Sequence, residues 1–302
     1  MTTRAVRPGA GIAWLKQAVN LGRNNPKAVF GGAALLLFTI VALAVGLSVL
    51  VGLLTAAWNP GSGGAMALSL LVMAPILLLL AALMVGYLRL IDAVENGRDA
   101  RASDVFAAFS DTSTSLRAIS FVVLLTIVQN VLIVVVVGIL AKGVGSWYLE
   151  NVQASMSGAA QAPITSLPEG FGIAFIVVLV IGLFGYAVQA IGLGQIALRR
   201  SSVGSALADG VSGAAKNLLP LLVMALVAVA ACIVLALAIG LLALLIEVLA
   251  KVAGVWLAVV LGVPLYIAAL LAMYVVMFGV MYSLWRDVSG DGEAPRNDSV
   301  AA

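Results

Sequence analysis

Histidine is missing from all 302 residues of the chain, and cysteine occurs once, at Cys232. The first absence removes the ordinary acid/base side chain of neutral pH and the commonest metal ligand, and with them serine–histidine and cysteine–histidine catalysis. The second rules out a disulfide within the chain and any cysteine-based metal site. Charge is scarce as well: Asp, Glu, Lys and Arg make up 10% of the residues against 63% hydrophobic. A water-soluble domain cannot be built from that balance, so the sequence reads as a membrane protein. Its charges also avoid the interior of the apolar blocks at 28–88, 118–141, 170–198, 217–246 and 252–285. An ionisable group deep in such a block is the usual mark of a proton or ion path, and its absence argues against a proton-coupled pump.

Hydrocarbon offers no hydrogen bonds to a bare backbone, so spans must be helices of roughly 20 apolar residues or strands of a closed barrel. Barrel strands alternate in polarity and these runs do not. The first block is long enough for two passes and is interrupted by Trp58-Asn59-Pro60-Gly61-Ser62-Gly63-Gly64, a turn-type cluster. Six spans are therefore expected, at about 29–57, 65–91, 118–141, 171–198, 218–249 and 253–285. The fold class is all-α, a single integral membrane domain over residues 1–285 followed by a disordered tail, 286–302. The loop 143–170 has too few apolar residues to form a domain, though a short helix fits in it.

Lysine and arginine in short loops resist translocation and set orientation. Fourteen of the sixteen fall on one side, leaving only Lys142 and Lys251 on the other. Both termini are accordingly expected in the cytoplasm. The net charge of +3 follows from this bias and gives no reason to invoke nucleic acid.

Three short stretches precede odd-numbered spans. GIAWLKQAVNLGRNNPKAVF puts Ile12, Trp14, Leu15, Ala18, Val19 and Leu21 on one half of a helix and Lys16, Gln17, Asn20 and Arg23 on the other. RASDVFAAFSDTSTSLRAISF lines up Ala102, Val105, Phe106 and Phe109, with Ser103 as its expected N-cap. SSVGSALADGVSGAAKNLLPLL offers Val203, Leu207 and Val211. Each reaches a cation just before the apolar run: Lys27, Arg117 and Lys216. The simplest account is a threefold repeat of interfacial helix and membrane hairpin, with units at about 11–91, 101–198 and 202–285.

These entry segments, together with AVENGRDARASDVFAAF, RRSSVGSALADGVSGAAKNLLPLL and the close GVPLYIAALLAMYVVMFGVMYSLWRDV, resemble bacterial inner-membrane proteins of the YciC-like kind. More loosely the chain is similar to the membrane part of some glycerophosphodiester phosphodiesterases. The resemblance covers most of the chain and implies an inner-membrane location with a role in envelope or lipid homeostasis. It carries no catalytic residues over, because the soluble phosphodiesterase domain with its metal ligands has no counterpart here.

Catalytic, cofactor and metal residues are thus none, and a non-enzymatic role is expected. Gln129 and Asn130, adjacent in the uncharged run FVVLLTIVQNVLIVVVVGIL, and Gln189 are the candidate polar residues at mid-membrane depth. Two readings stand for them. They are glue between helices, with Gln189 a partner for Gln129, or they line a cavity of a transporter or channel for a small or amphipathic molecule. Gly182, Gly185 and Gly192 share a stripe suited to close helix contact. Trp14, Phe106 and Phe109 are expected to seat the short helices in the inner leaflet, with Lys16, Arg23, Lys27, Arg117 and Lys216 on anionic headgroups. Expected partners are membrane lipids, anionic ones above all, with a second copy or a membrane partner protein also open. Asp92 and Glu95, with Arg89 nearby, read as a solvated ion pair, and Glu247 with Lys251 as a helix pair that anchors the outer end of span five at the interface.

Overall fold

The computed structural model describes residues 3–58, 61–157 and 166–289. Among these residues the chain is helical throughout, without a strand: α1 (Ala10–Val19), α2 (Pro26–Trp58), α3 (Gly61–Glu95), a 3-10 helix (Ala102–Ser110), α4 (Thr112–Leu140), α5 (Lys142–Ser157), α6 (Phe171–Arg199), α7 (Val203–Lys216), α8 (Leu218–Ala253) and α9 (Val255–Val288). Five stretches among the described residues are long and apolar enough to cross a membrane: Pro26–Trp58, Thr112–Leu140, Phe171–Arg199, Leu218–Leu249 and Val259–Val288. The expected span 65–91 falls in α3, several of whose side chains between 61 and 77 lie outside the described residues. Of the turn cluster, Gly61 to Gly64 are already helical, and Asn59 and Pro60 lie outside the described residues. Of the expected tail, Arg286 to Val288 instead continue α9, and residues 290–302 lie outside the described residues.

Helix ends follow local chemistry. Asn25 precedes α2, accepts the Ala28 N–H at 3.1 Å, and is followed by Pro26 in the first turn, where a missing N–H costs nothing. Asp111 precedes α4 and accepts the Thr114 N–H at 3.2 Å. Helix α3 stops at Gly97, which takes φ 65° while Arg98 N–H closes on Ala93 O at 2.8 Å, a turn only glycine enters without strain. The second short helix is 3-10 rather than α, and it begins after Arg101 instead of Ser103. Asp104, at its third position, reaches back to the Arg101 N–H at 2.7 Å and so fixes the earlier start.

Helices α3, α6 and α9 touch one another in the middle, and α2, α4 and α8 lie outside them. Each outer helix spans two inner ones: α2 packs on α3 and α9, α4 on α6 and α3, α8 on α9 and α6. Burial is concentrated at one end of this assembly, in 28–36, 81–94, 118–125, 187–197, 221–224 and 275–288. Away from that end most described side chains are uncovered by protein, and every residue of α8 from 231 to 245 is exposed. Acyl chains are as apolar as leucine, so no hydrophobic force pulls those bare halves together; close fit and hydrogen bonds must do so, and both are found at the packed end.

Candidate functional site: three joints at the packed end

All three short helices lie at the packed end, and none packs chiefly on the long helices that follow it in the chain. The 3-10 helix sits on α2 and α3, α7 on α6 and α4, and α1 on α8 and α9. Glycine makes each seat possible. A Cβ on Gly86 of α3 would lie 1.8 Å from Val105 O of the 3-10 helix; one on Gly11 of α1, 2.2 Å from Pro220 O of α8; one on Gly210 of α7, 2.8 Å from Val188 O of α6. Backbones approach here as closely as atoms allow.

The residue just ahead of each outer helix then reaches the segment that leads into the next short helix. Asn25, before α2, donates from Nδ2 to Ala100 O at 3.1 Å. Asp111, before α4, meets the Arg200 guanidinium at 3.6 Å. Asn217, before α8, donates to Arg4 O at 3.0 Å and accepts the Val6 N–H at 2.8 Å. The inner helices are cross-linked at the same level. Arg89 of α3 donates to Ala197 O of α6 at 2.9 Å, Arg199 of α6 to Ser289 O after α9 at 3.3 Å, and Tyr282 of α9 to Asp92 of α3 at 3.0 Å.

Electrostatics is sharpest around Asp111. Its carboxylate takes Arg89 Nη2 at 2.9 Å and the Thr114 hydroxyl at 2.9 Å. The Arg89 hydrogen bond first, and those from Thr114 after it, hold its pKa down at about 2, below the ordinary 3.8. Arg200 adopts the left-handed conformation, φ 55°, unusual for a side chain other than glycine. Two contacts sustain it: its carbonyl receives Arg117 Nη1 at 2.6 Å, and its guanidinium faces Asp111.

Several sequence expectations are corrected by this geometry. Trp14 does not seat α1 in lipid: it is 0% exposed, and its Nε1 donates to Asp287 Oδ2 at 2.8 Å. The buried stripe of α1 is Gly11, Trp14 and Ala18, and it is Ile12 and Val19 that stand outward. Lys216 and Arg117 each also hold a carbonyl of the chain, Thr3 O at 2.8 Å and Arg200 O at 2.6 Å, while keeping their charge and remaining N–H donors. Arg89 pairs with Asp111, and Asp92 with Arg98, in place of the expected Arg89–Asp92 pair. A Cβ on Gly182 would meet nothing within 4 Å; Gly185 and Gly192 are true contact positions, against Gln129 and Phe121 of α4.

The three amides do not converge. Gln129 lies over Gly185, Gln189 reaches Met84 Sδ of α3 at 3.7 Å, and Asn130 points outward and donates to Thr126 O of its own helix at 2.8 Å. Phe106 and Phe109 stack at 6.4 Å, Phe109 exposed and Phe106 half-buried against the core; Lys16, Arg23 and Lys27 are exposed; Glu247 and Lys251 pair at 3.1 Å. Asn25, Asp111 and Asn217 were missed as joint residues, although an Asn or Asp directly before an apolar run is a readable N-cap signal. No family model, curated protein or solved structure matches the chain.

Proposed function

We propose that the chain is a non-enzymatic, six-span protein of the bacterial inner membrane, built as a ring of three head-to-tail units whose short helices engage anionic lipid at the inner leaflet. Each unit is a short helix and a hairpin of one outer and one inner helix: α1 with α2 and α3, the 3-10 helix with α4 and α6, α7 with α8 and α9. The ring reading is supported by the cyclic offset, each short helix docking on the preceding hairpin and α1 on the last. Tyr87, Tyr186 and Tyr282 of the inner helices each direct a phenol to another helix. The resemblance to YciC-like proteins agrees with this address and with a role in envelope or lipid maintenance.

The observation that carries the lipid reading is the outward face of α1 and its exit. Ile12 and Val19 stand uncovered beside Lys16, and Phe30 beside Lys27, with Arg23 between; none of these cations makes an ion pair among the described residues. Apolar side chains next to unpaired cations at the packed, cation-rich end suit the boundary between acyl chains and anionic headgroups. The test is native mass spectrometry of the full chain released from nanodiscs of mixed phosphatidylglycerol and phosphatidylcholine. Wild type should retain phosphatidylglycerol preferentially, and the triple variant Lys16→Gln, Arg23→Gln, Lys27→Gln should lose that preference. Equal retention of both lipids by wild type would refute the reading.

A further inference from the structure

Two fully buried side-chain atoms among the described residues have no hydrogen-bond partner in the protein, Gln195 Oε1 of α6 and Trp285 Nε1 of α9. Their residues are 1% and 4% exposed. The two helices run side by side in a register set by the bonds that link them: Tyr186 donates to Met277 O and Arg199 to Ser289 O, pairings 91 and 90 positions apart. The same offset sets Gln195 level with Trp285. Side-chain contacts agree. The indole packs on the α6 backbone, since a Cβ on Gly194 would fall 2.2 Å from its Cγ and 2.3 Å from its Cδ1, the atom bonded to Nε1. Gln195 comes next, and its Nε2 donates to Ser289 Oγ at 3.3 Å, one turn beyond Trp285. Arg199, one turn beyond Gln195, stands 5.8 Å from the indole centroid. The unmet oxygen and the unmet N–H thus belong to one small patch of the α6–α9 seam.

One of them is an acceptor and the other a donor. Left unmet, each has given up its bonds to water for nothing, which native interiors rarely allow. Turning the amide over does not cure this, because an N–H would then stand unmet in place of the oxygen, beside a second donor. We propose that one buried water molecule bridges the two, donating to Gln195 Oε1 and accepting from Trp285 Nε1. Water both donates and accepts and is small enough for a packed core, and Ser289 Oγ, already bonded to the same amide, offers the further partner that an internal water usually has. The bridge lies between the Tyr186–Met277 bond and the Arg199–Ser289 bond and makes a third polar link along the seam. Gln195 and Trp285 are thereby coupled although no bond joins them.

The test is proton-detected solid-state NMR of the full chain in proteoliposomes, isotope-labelled at the tryptophan indole nitrogens, with magnetisation transferred from water. Trp285→Phe assigns the Trp285 indole resonance by its loss. Wild type should show transfer from water to the Trp285 N–H, whereas Trp14, equally buried but bonded to Asp287, should show none. In Gln195→Met, which keeps the length of the side chain and has no amide oxygen, the transfer to Trp285 should be lost. Absence of transfer to Trp285 in wild type, or transfer that Gln195→Met leaves in place, overturns the bridge. Should Gln195→Met fail to fold, a wild-type cryo-EM map that resolves ordered water decides. Density between Gln195 Oε1 and Trp285 Nε1 supports the proposal; a direct amide–indole bond, or no density between them, overturns it.

Discussion

Replacing Gly86 by alanine tests the closest approach to a glycine among the described residues. The added Cβ falls 1.8 Å from Val105 O and 2.7 Å from its carbonyl carbon, both backbone atoms of a buried residue. No rotamer relieves such an overlap. To regain ordinary contact the 3-10 helix must withdraw by roughly 1.5 Å, losing dispersion contacts along its buried side. Overpacking of this kind costs about 1–3 kcal/mol, and backbone against backbone belongs at the upper end. For a chain of this size that is a fall of roughly 2–5 °C in melting temperature, read by circular dichroism of the protein in mild detergent. Gly182→Ala is the control, since its Cβ meets nothing and alanine is the better helix former by about 0.5–1 kcal/mol. A Gly86→Ala protein melting with wild type, or a Gly182→Ala protein as damaged as Gly86→Ala, would refute the reasoning.

Three further outcomes are expected. Asp111 has a folded pKa of about 2 against 3.8 ordinarily, so its contribution is complete above about pH 4 and is lost as the pH falls toward 2. Asp111→Asn should therefore melt below wild type at pH 6 and converge with it at pH 2; an unchanged gap at pH 2 contradicts the assignment. Trp14→Phe keeps the buried ring but loses the bond to Asp287, for a loss of about 1.5–3 kcal/mol by thermal melting, and an unshifted transition would contradict it. Gln129→Leu and Asn130→Leu should each change stability by less than about 1 kcal/mol, because neither amide bonds another helix among the described residues; a collapse of either variant would restore the glue reading.

Much of the scaffold was legible in the sequence. Long apolar runs specify helices because hydrocarbon permits little else, and the limits of α6 and the start of α8 fall within a residue of expectation. Partners were not legible. Periodicity scores lipid and protein alike as apolar, so it grouped Trp14 with Ile12 and Val19 although only Trp14 is buried. Charge counting assigns Lys216 and Arg117 to a side of the membrane but cannot see that a carbonyl of the next segment takes each of them. The glycine stripe was correct for Gly185 and Gly192, but spacing alone does not tell which of its members meets a neighbouring helix, and Gly182 meets none. A cyclic offset leaves no local trace either, since each unit reads the same whether its short helix docks on its own hairpin or on the one before.

The ring is tested most directly by a cryo-EM structure of the protein in lipid nanodiscs, enlarged by a rigid bound antibody fragment. The account predicts the 3-10 helix on α2 and α3, α7 on α4 and α6, and α1 closing the circle on α8 and α9. A short helix lying instead against the long helices that follow it in the chain would contradict the account.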